Sequence, residues 1–131
     1  MKKLLLAAII SLSTISTAAL AEIKVGIILG FTGPIETLTP AMRDSAKLAF
    51  AEVSSSGKLL GGEIITPVIG DSTCVDSDAA VAAAEILVND GVAAIMGADC
   101  SGVTGAIATN VAVPNGVTMV CLLYTSPSPR D

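Results

Sequence analysis

The sequence predicts an α/β fold in which helices flank a parallel sheet. Three observations predict it. Short runs of β-branched residues recur along the chain, a segment with apolar residues at helical spacing follows each of the first three runs, and the turns between them are short. A strand, a helix and a further strand, repeated in this way, are typical of a parallel sheet covered by helices.

The first strand is predicted at 23–29, where isoleucine, valine and leucine predominate. A glycine-containing turn follows at 30–34. Gly30 and Gly33 allow the backbone to approach a ligand or to adopt a positive φ, although an ordinary tight turn explains them equally well. Their spacing from Gly26 does not match the dinucleotide-binding fingerprint, so no nucleotide cofactor is indicated.

The first helix is expected to begin with Thr39 as its N-cap and Pro40 at its first helical position. Gly57 is a plausible C-terminal stop. Five residues at helical spacing should form its apolar face: Met42, Ala46, Ala49, Phe50 and Val53.

The second strand is predicted at 63–70, and a polar loop follows it. Ser77 or Asp78 can cap the second helix, which should run to Asn89 before the turn that contains Gly91. Its apolar stripe includes four residues: Val81, Ala84, Leu87 and Val88.

The third strand is predicted at 92–96. Ser101 should start the third helix, a turn is expected at 114–116, and a fourth strand opens at 117–120. The third helix should place four residues on one face: Val103, Ala106, Ile107 and Val111.

The two ends of the chain differ from its middle. Residues 1–21 carry a basic start, an apolar run and a small-x-small cleavage site, which together indicate a secretory signal peptide. A membrane-spanning helix is the alternative, but polar residues interrupt the run well short of the ~20 residues that a span needs. Residues 121–131 resemble the in-frame translation of a transposase sequencing adapter, and the alternative is a natural Pro/Ser-rich tail.

Composition narrows the function classes. Residues 22–120 carry four Lys or Arg residues against eleven Asp or Glu residues, a net charge of −7. Such an acidic surface argues against nucleic acid and anionic membranes as partners. The whole chain contains no histidine, so the usual general base and the commonest zinc ligand are absent, and we expect no metal and no cofactor.

Cys74 and Cys100 remain when Cys121 is assigned to the adapter-like tail. They follow the second and third strands, which are expected to be adjacent and so to bring both cysteines to the same edge of the sheet. In an exported protein a disulfide is favoured. Two buried free thiols are the alternative, and a redox-active pair is less favoured because there is no Cys-x-x-Cys motif.

Ligands of parallel sheets bind at the carboxyl ends of the strands. At the end of the third strand, Ser101 begins a helix whose free N–H groups and positive dipole end can hold a carboxylate. The alternative is that Ser101 merely caps its own helix. The candidate ligand-binding residues are Ser101, Gly102 and Thr104.

Together these segments resemble the start of the leucine/isoleucine/valine-binding proteins, the periplasmic receptors of branched-chain amino acid ABC transporters. The resemblance covers nearly all of residues 22–120 and rests on the order and spacing of several motifs. They are Ile23-Lys24-Val25-Gly26, Phe31-Thr32-Gly33-Pro34, Asp71-Ser72-Thr73-Cys74, Ala79 with Val81-Ala82-Ala83, Val88-Asn89-Asp90-Gly91-Val92 and Gly97-Ala98-Asp99-Cys100-Ser101.

The resemblance implies a disulfide between Cys74 and Cys100 and contact of Ser101 with the α-amino-acid group of a ligand. It also implies that residues 22–120 are an incomplete first lobe of a two-lobe periplasmic binding protein, whose second lobe is missing. One departure concerns specificity, because Leu38 stands where the family carries an aromatic residue in the first loop region.

The expected function is therefore that of a solute-binding receptor and not an enzyme. The protein should be exported to the periplasm, act as a monomer, capture a branched-chain or related amino acid and present it to an ABC permease in the inner membrane. This partial chain by itself should not bind ligand. The alternatives are the ligand-binding ectodomain of a sensor and, less favoured, an exported α/β enzyme.

Overall fold

A computed structural model describes residues 22–122, and within them the expected strand–helix alternation is confirmed. The expected signal peptide at 1–21 and most of the adapter-like tail lie outside these residues. The elements in chain order are β1 (Glu22–Leu29), α1 (Thr39–Ser55), β2 (Ile64–Asp71), α2 (Ser77–Asn89), β3 (Ala94–Gly97), α3 (Ser101–Ile107), a π-helical turn (Ala108–Ala112) and β4 (Thr118–Val120).

The four strands form one parallel sheet in the order β2-β1-β3-β4. The chain runs outward from β1 to β2, then returns across β1 to β3. The strand order therefore reverses between β1 and β3. Such a reversal leaves a crevice at the carboxyl ends of the two strands, where ligands of open α/β sheets bind.

Alternate residues of β1 point into two different cores, as expected for a strand buried on both faces. On one face, Ile27 and Leu29 pack with Ala46 of α1. On the other face, Ile28 belongs to a larger cluster that includes Leu87 of α2 and residues of α3. The helices thus cover both faces of the sheet, α1 on one and α2 with α3 on the other.

The start and the apolar face of α1 differ from the prediction. Its N-cap is Leu38, which makes no side-chain capping bond, and Thr39 is already helical. The buried Thr39 hydroxyl donates instead to the Gly30 carbonyl at 3.1 Å, so it joins the helix to the loop after β1. Ala49 and Val53 are exposed, so the buried stripe is narrower than their spacing indicates. The helix ends at Ser55, shortly before Gly57 as predicted.

The second helix begins one residue after a cap that the sequence did not identify. Asp76, not Ser77 or Asp78, is the N-cap, and its carboxylate accepts from the backbone N–H groups of Asp78 and Ala79, each at 3.0 Å. A carboxylate here satisfies two otherwise unpaired N–H groups and faces the positive end of the helix dipole. The predicted end at Asn89 is confirmed.

The bounds of β3 and the helix type after α3 differ from the prediction. β3 starts at Ala94 and not at residue 92, because the N–H of Val92 donates to the carbonyl of Leu87 and belongs to the turn that ends α2. The third helix starts at Ser101 as predicted, but its continuation is π-helical. Within residues 22–122, none of the helices combines the length and apolarity needed to cross a bilayer.

Candidate functional site

Three loops meet at the carboxyl edge of the sheet, and they follow β1, β2 and β3. We call residues 30–38 the first loop, 72–76 the second loop and 98–100 the third loop. Because β1 lies between β2 and β3, the first loop lies between the other two. The switch point of the sheet, between β1 and β3, opens onto the first and third loops.

Asp71, the last residue of β2, holds the first loop in place. One carboxylate oxygen accepts from the backbone N–H groups of Phe31 at 2.9 Å and Thr32 at 3.3 Å, and from that of Thr73 at 2.8 Å. The other oxygen accepts from the Thr32 hydroxyl at 2.7 Å. A single carboxylate therefore joins the first and second loops.

These bonds also set the charge state of Asp71. Partial desolvation favours the neutral acid, but the Thr32 hydroxyl and the three backbone N–H groups outweigh it and hold the pKa of Asp71 below its usual value. The side chain is thus a structural anion at neutral pH. Its lone pairs are used by the protein's own loops.

Asp99, in the third loop, reaches across the switch point. Its two carboxylate oxygens lie 3.0 and 3.2 Å from the backbone nitrogen of Gly30, which donates to both. The Ser72 hydroxyl, which is fully buried, donates to the same carboxylate at 3.5 Å. Asp99 therefore bonds to the loops that follow β1 and β2, whereas the hydrogen bonds of the Asp71 carboxylate stay within the first and second loops.

Cys74 and Cys100 form a disulfide, with their Cα atoms 5.3 Å apart, as expected. The expectation that β2 and β3 are neighbours is wrong, because β1 separates them. The bridge closes the distance by passing over the carboxyl end of β1. A Cβ atom at Gly30 would lie only 3.1 Å from the Cβ of Cys74, so the residue beneath the bridge has to be small.

The second loop also presses on Gly33. A Cβ atom there would lie 2.5 Å from the carbonyl oxygen of Thr73, and Gly33 has a positive φ of 96°. Thr73 and Cys74 themselves have φ of 57° and 70°, a left-handed conformation that is costly for non-glycine residues. The two glycines of the first loop thus accommodate the neighbouring loop, which is the role that the structure gives them.

The three candidate ligand-binding residues lie together at the start of α3, beside the switch point. Ser101 is exposed, and its hydroxyl makes no hydrogen bond with the part of the chain that the structure describes. Gly102 is also exposed, with open space where a Cβ would stand. Thr104 differs, because its hydroxyl donates to the Cys100 carbonyl at 2.8 Å and is occupied within the helix.

The capping alternative for Ser101 is wrong. Cys100 is the N-cap of α3, and no side chain caps this helix. Ser101 is the first helical residue, so its hydroxyl is not needed to satisfy the helix terminus. The first backbone N–H groups of a helix have no partner within it, and these lie at the carboxyl edge with the hydroxyl beside them.

A separate cavity of about 290 Å³ lies at the other edge of the sheet, between the end of α2 and the turn before β4. Its lining includes Glu85, Asn89 and Asn115. None of the predicted site residues lines it.

Sequence reasoning gave no role to Asp71, Asp99 or Ser72. The available signal was position, since Asp71 stands one residue and Asp99 three residues after the end of a predicted strand. A carboxylate at such a place can accept from the N–H groups of neighbouring loops. Which loop it would reach depends on the strand order, which the sequence did not reveal.

Comparison with known proteins gives a consistent result. The family model described as "Periplasmic binding protein" matches residues 22–130. The chain is 31% identical over 125 residues to a Leu/Ile/Val-binding protein of Citrobacter freundii, which covers 95% of this chain. It is 29% identical over 125 residues to the Leu/Ile/Val-binding protein BraC3 of Rhizobium johnstonii, again covering 95% of this chain.

Solved structures of substrate-binding proteins share the fold of this chain. The branched-chain amino acid transporter substrate-binding protein LivJ of Streptococcus pneumoniae, in complex with isoleucine, superposes on 77% of this chain with a TM-score of 0.69 and 27% identity, using 28% of its own length. The leucine-binding protein LivK of Thermotoga maritima covers 76% of this chain and 27% of its own, with a TM-score of 0.60 and 27% identity.

The chain spans about a third of the length of these curated relatives, 33% in both cases. The relatives and the structural neighbours are substrate-binding proteins and not enzymes. The family match over residues 22–130, the parallel sheet and the disulfide between the second and third loops agree with one another. This chain therefore belongs to the periplasmic binding protein family, among the proteins related to the branched-chain amino acid-binding receptors.

Proposed function

We propose that the complete protein captures a branched-chain or related amino acid in the periplasm and delivers it, as a monomer, to an ABC permease of the inner membrane. The observation that carries the proposal is the exposed start of α3 at the switch point, in a chain whose relatives are named for binding leucine, isoleucine and valine. No described residue competes for the Ser101 hydroxyl.

In this proposal, the ligand carboxylate accepts from the backbone N–H groups at the start of α3 and from the Ser101 hydroxyl. These donors are preorganised, because α3 continues without a break into the π-helical turn and its neighbour Cys100 is held by the disulfide. A second lobe, outside this chain, closes on the ligand and excludes water. Exclusion of water strengthens each hydrogen bond to the charged carboxylate.

Replacing Ser101 tests the site. Ser101→Ala in the full-length protein should weaken leucine binding about tenfold, the loss expected for a hydrogen bond to a charged group. Isothermal titration calorimetry with leucine, isoleucine and valine measures it. Ser77→Ala is the matched control, because Ser77 is also exposed and also the first residue of a helix, but on α2, beside the edge strand. Equal affinity of the Ser101 variant and the wild type would remove Ser101 from the site.

The shorter chain should behave differently. We propose that residues 22–120, a part of the first lobe, do not bind the ligand measurably without the second lobe. Titration of the expressed segment with leucine should give no heat of binding. Micromolar binding of leucine by this segment alone would refute the proposal that ligand binding requires the second lobe.

We also propose that residues 1–21 are an export signal and that residues 121–131 derive from adapter DNA. Support for the latter is the run of eleven residues that resembles the translated adapter. The family match extends to residue 130 and so does not separate this segment from the rest. Sequencing the gene from genomic DNA across codon 120 decides the matter, and an uninterrupted genomic reading frame encoding Cys121 to Asp131 would refute the adapter origin.

A further inference from the structure

The start of α3 is positioned by the residues that precede it. Ser101 is exposed, so its place depends on the third loop. Each residue of this loop is held by a different part of the structure. In this chain the Ala98 carbonyl accepts from the N–H of Leu122, a residue of the adapter-like tail, at 3.1 Å, the Asp99 carboxylate accepts from Gly30, and Cys100 is joined covalently to Cys74.

Of these three attachments, only the one at Asp99 is made by a side chain that bridges to the first loop. The Gly30 N–H donates to both of its oxygens, directly at the carboxyl end of β1. The bond to the buried Ser72 hydroxyl adds the second loop. Asp99 stands two residues before Ser101, so its carboxylate joins the backbone that leads into the first turn of α3 to the carboxyl end of β1.

We propose that Asp99 is a positioning residue for ligand binding, whose carboxylate joins the first and second loops to the third and so fixes the ligand-facing turn of α3 across the switch point. The inference rests on the proposed function of the Ser101 site. It adds to that function a residue that holds the site together without touching the ligand.

The structure offers a matched control in Asp71. Both carboxylates lie at the carboxyl edge, both are partly buried, and both accept backbone N–H groups of the first loop. Asp71 differs in that its partners are confined to the first and second loops, at Phe31, Thr32 and Thr73. Loss of either charge weakens loop attachment, but only loss of the Asp99 charge weakens the hydrogen bonds that join the third loop to the other two, leaving the disulfide at Cys100 as its link to the second loop.

The test compares Asp99→Asn with Asp71→Asn in the full-length protein. Asparagine keeps the size of the side chain and one acceptor oxygen, but its NH₂ group cannot accept from Gly30 or Ser72. Asp99→Asn should weaken leucine binding about tenfold, and Asp99→Ala further, because charge-assisted bonds are lost. Asp71→Asn should leave leucine affinity within about twofold of the wild-type value. It should lower the melting temperature at least as much as Asp99→Asn does.

Calorimetry and melting temperature together distinguish a residue that positions the ligand site from one that only stabilises the fold. If affinity falls equally in the Asp99 and Asp71 variants, or follows melting temperature across all three, Asp99 is only a structural residue and the proposal is overturned. Leucine affinity of Asp99→Asn equal to that of the wild type would also overturn the proposal.

Hydrogen exchange supplies a readout that needs no ligand. Asp99→Asn should speed exchange at Gly30 and at the first bonded amide of α3, Thr104, which donates to the Cys100 carbonyl, whereas Asp71→Asn should speed exchange at Phe31. If the wild type binds none of the three amino acids, the proposed function fails, and this exchange pattern still decides whether Asp99 positions α3. Unchanged exchange at Thr104 in Asp99→Asn would overturn the inference.

Discussion

A methyl group added at Gly30 tests whether the disulfide and the first loop are packed as described. Gly30 does not need a positive φ, so Gly30→Ala changes sterics without straining the backbone. The new Cβ would lie 3.1 Å from the Cys74 Cβ, 3.2 Å from Cγ1 of Ile35 and 3.4 Å from the Cys74 nitrogen. Carbon atoms prefer separations of about 3.5–4.0 Å, so at least two neighbours must move by a few tenths of an ångström.

The magnitude follows from two opposing effects. Overpacking of this kind costs roughly 1–3 kcal/mol. Replacing glycine by alanine regains about 0.4–1 kcal/mol by restricting the unfolded chain. Because the Cys74 Cβ is held by the disulfide and cannot swing away, we expect the cost to prevail, with a net loss of about 1–2 kcal/mol in the free energy of unfolding.

Urea unfolding of the full-length protein, followed by circular dichroism, measures the change. Gly102→Ala is the matched control, because no atom outside the adjoining backbone of its own helix lies within 4 Å of its Cβ position. Alanine in a helix is favoured over glycine by about 0.5–1 kcal/mol, so this variant should be more stable than the wild type. If Gly30→Ala also gains stability, the second loop does not pack against Gly30 as described.

Two further predictions concern the same edge. The folded pKa of Asp71 lies below its unfolded value of about 3.9, so the stability that its ionisation contributes is complete above that pH and is lost as pH falls through the folded pKa. Asp71→Asn should therefore show a shallower loss of melting temperature than the wild type between pH 5 and about pH 2. Parallel curves of melting temperature against pH would contradict this. In the double variant Cys74→Ser, Cys100→Ser the free energy of unfolding should fall by about 3.5 kcal/mol, the loop-entropy value for a separation of 26 residues. Reductant should lower the free energy of unfolding of the wild type by the same amount and leave that of the variant unchanged.

Sequence reasoning recovered the elements of this fold because their signals are local. The β-branched run of β1, Gly57 and Gly91 after the helices, and the start of α3 at Ser101 all depend on neighbours a few residues away. The N-cap of α2 was misplaced by one or two residues because three successive residues, Asp76, Ser77 and Asp78, can each act as an N-cap. Only the helix geometry selects among them.

Strand order was beyond the reach of local signals, and its consequences were missed with it. The cysteine pairing was predicted for a partly wrong reason, since β2 and β3 are not neighbours. The partners of Asp99 lie 69 and 27 residues away along the chain, at Gly30 and Ser72, and no periodicity reports such contacts. The exposed hydroxyl of Ser101 was anticipated from its place at a helix start, whereas its freedom from capping was decided by Cys100 taking that position.

The two faces of the sheet are covered unequally. The cluster beneath α1 contains three buried residues, whereas the cluster beneath α2 and α3 contains ten. Of the seventeen residues of α1, only Thr39 and Ala46 are buried. Local opening requires little loss of apolar contact on the α1 side, so α1 should be the first helix of this sheet to exchange its amide protons, through fluctuations that leave α2 and the disulfide-bridged loops intact.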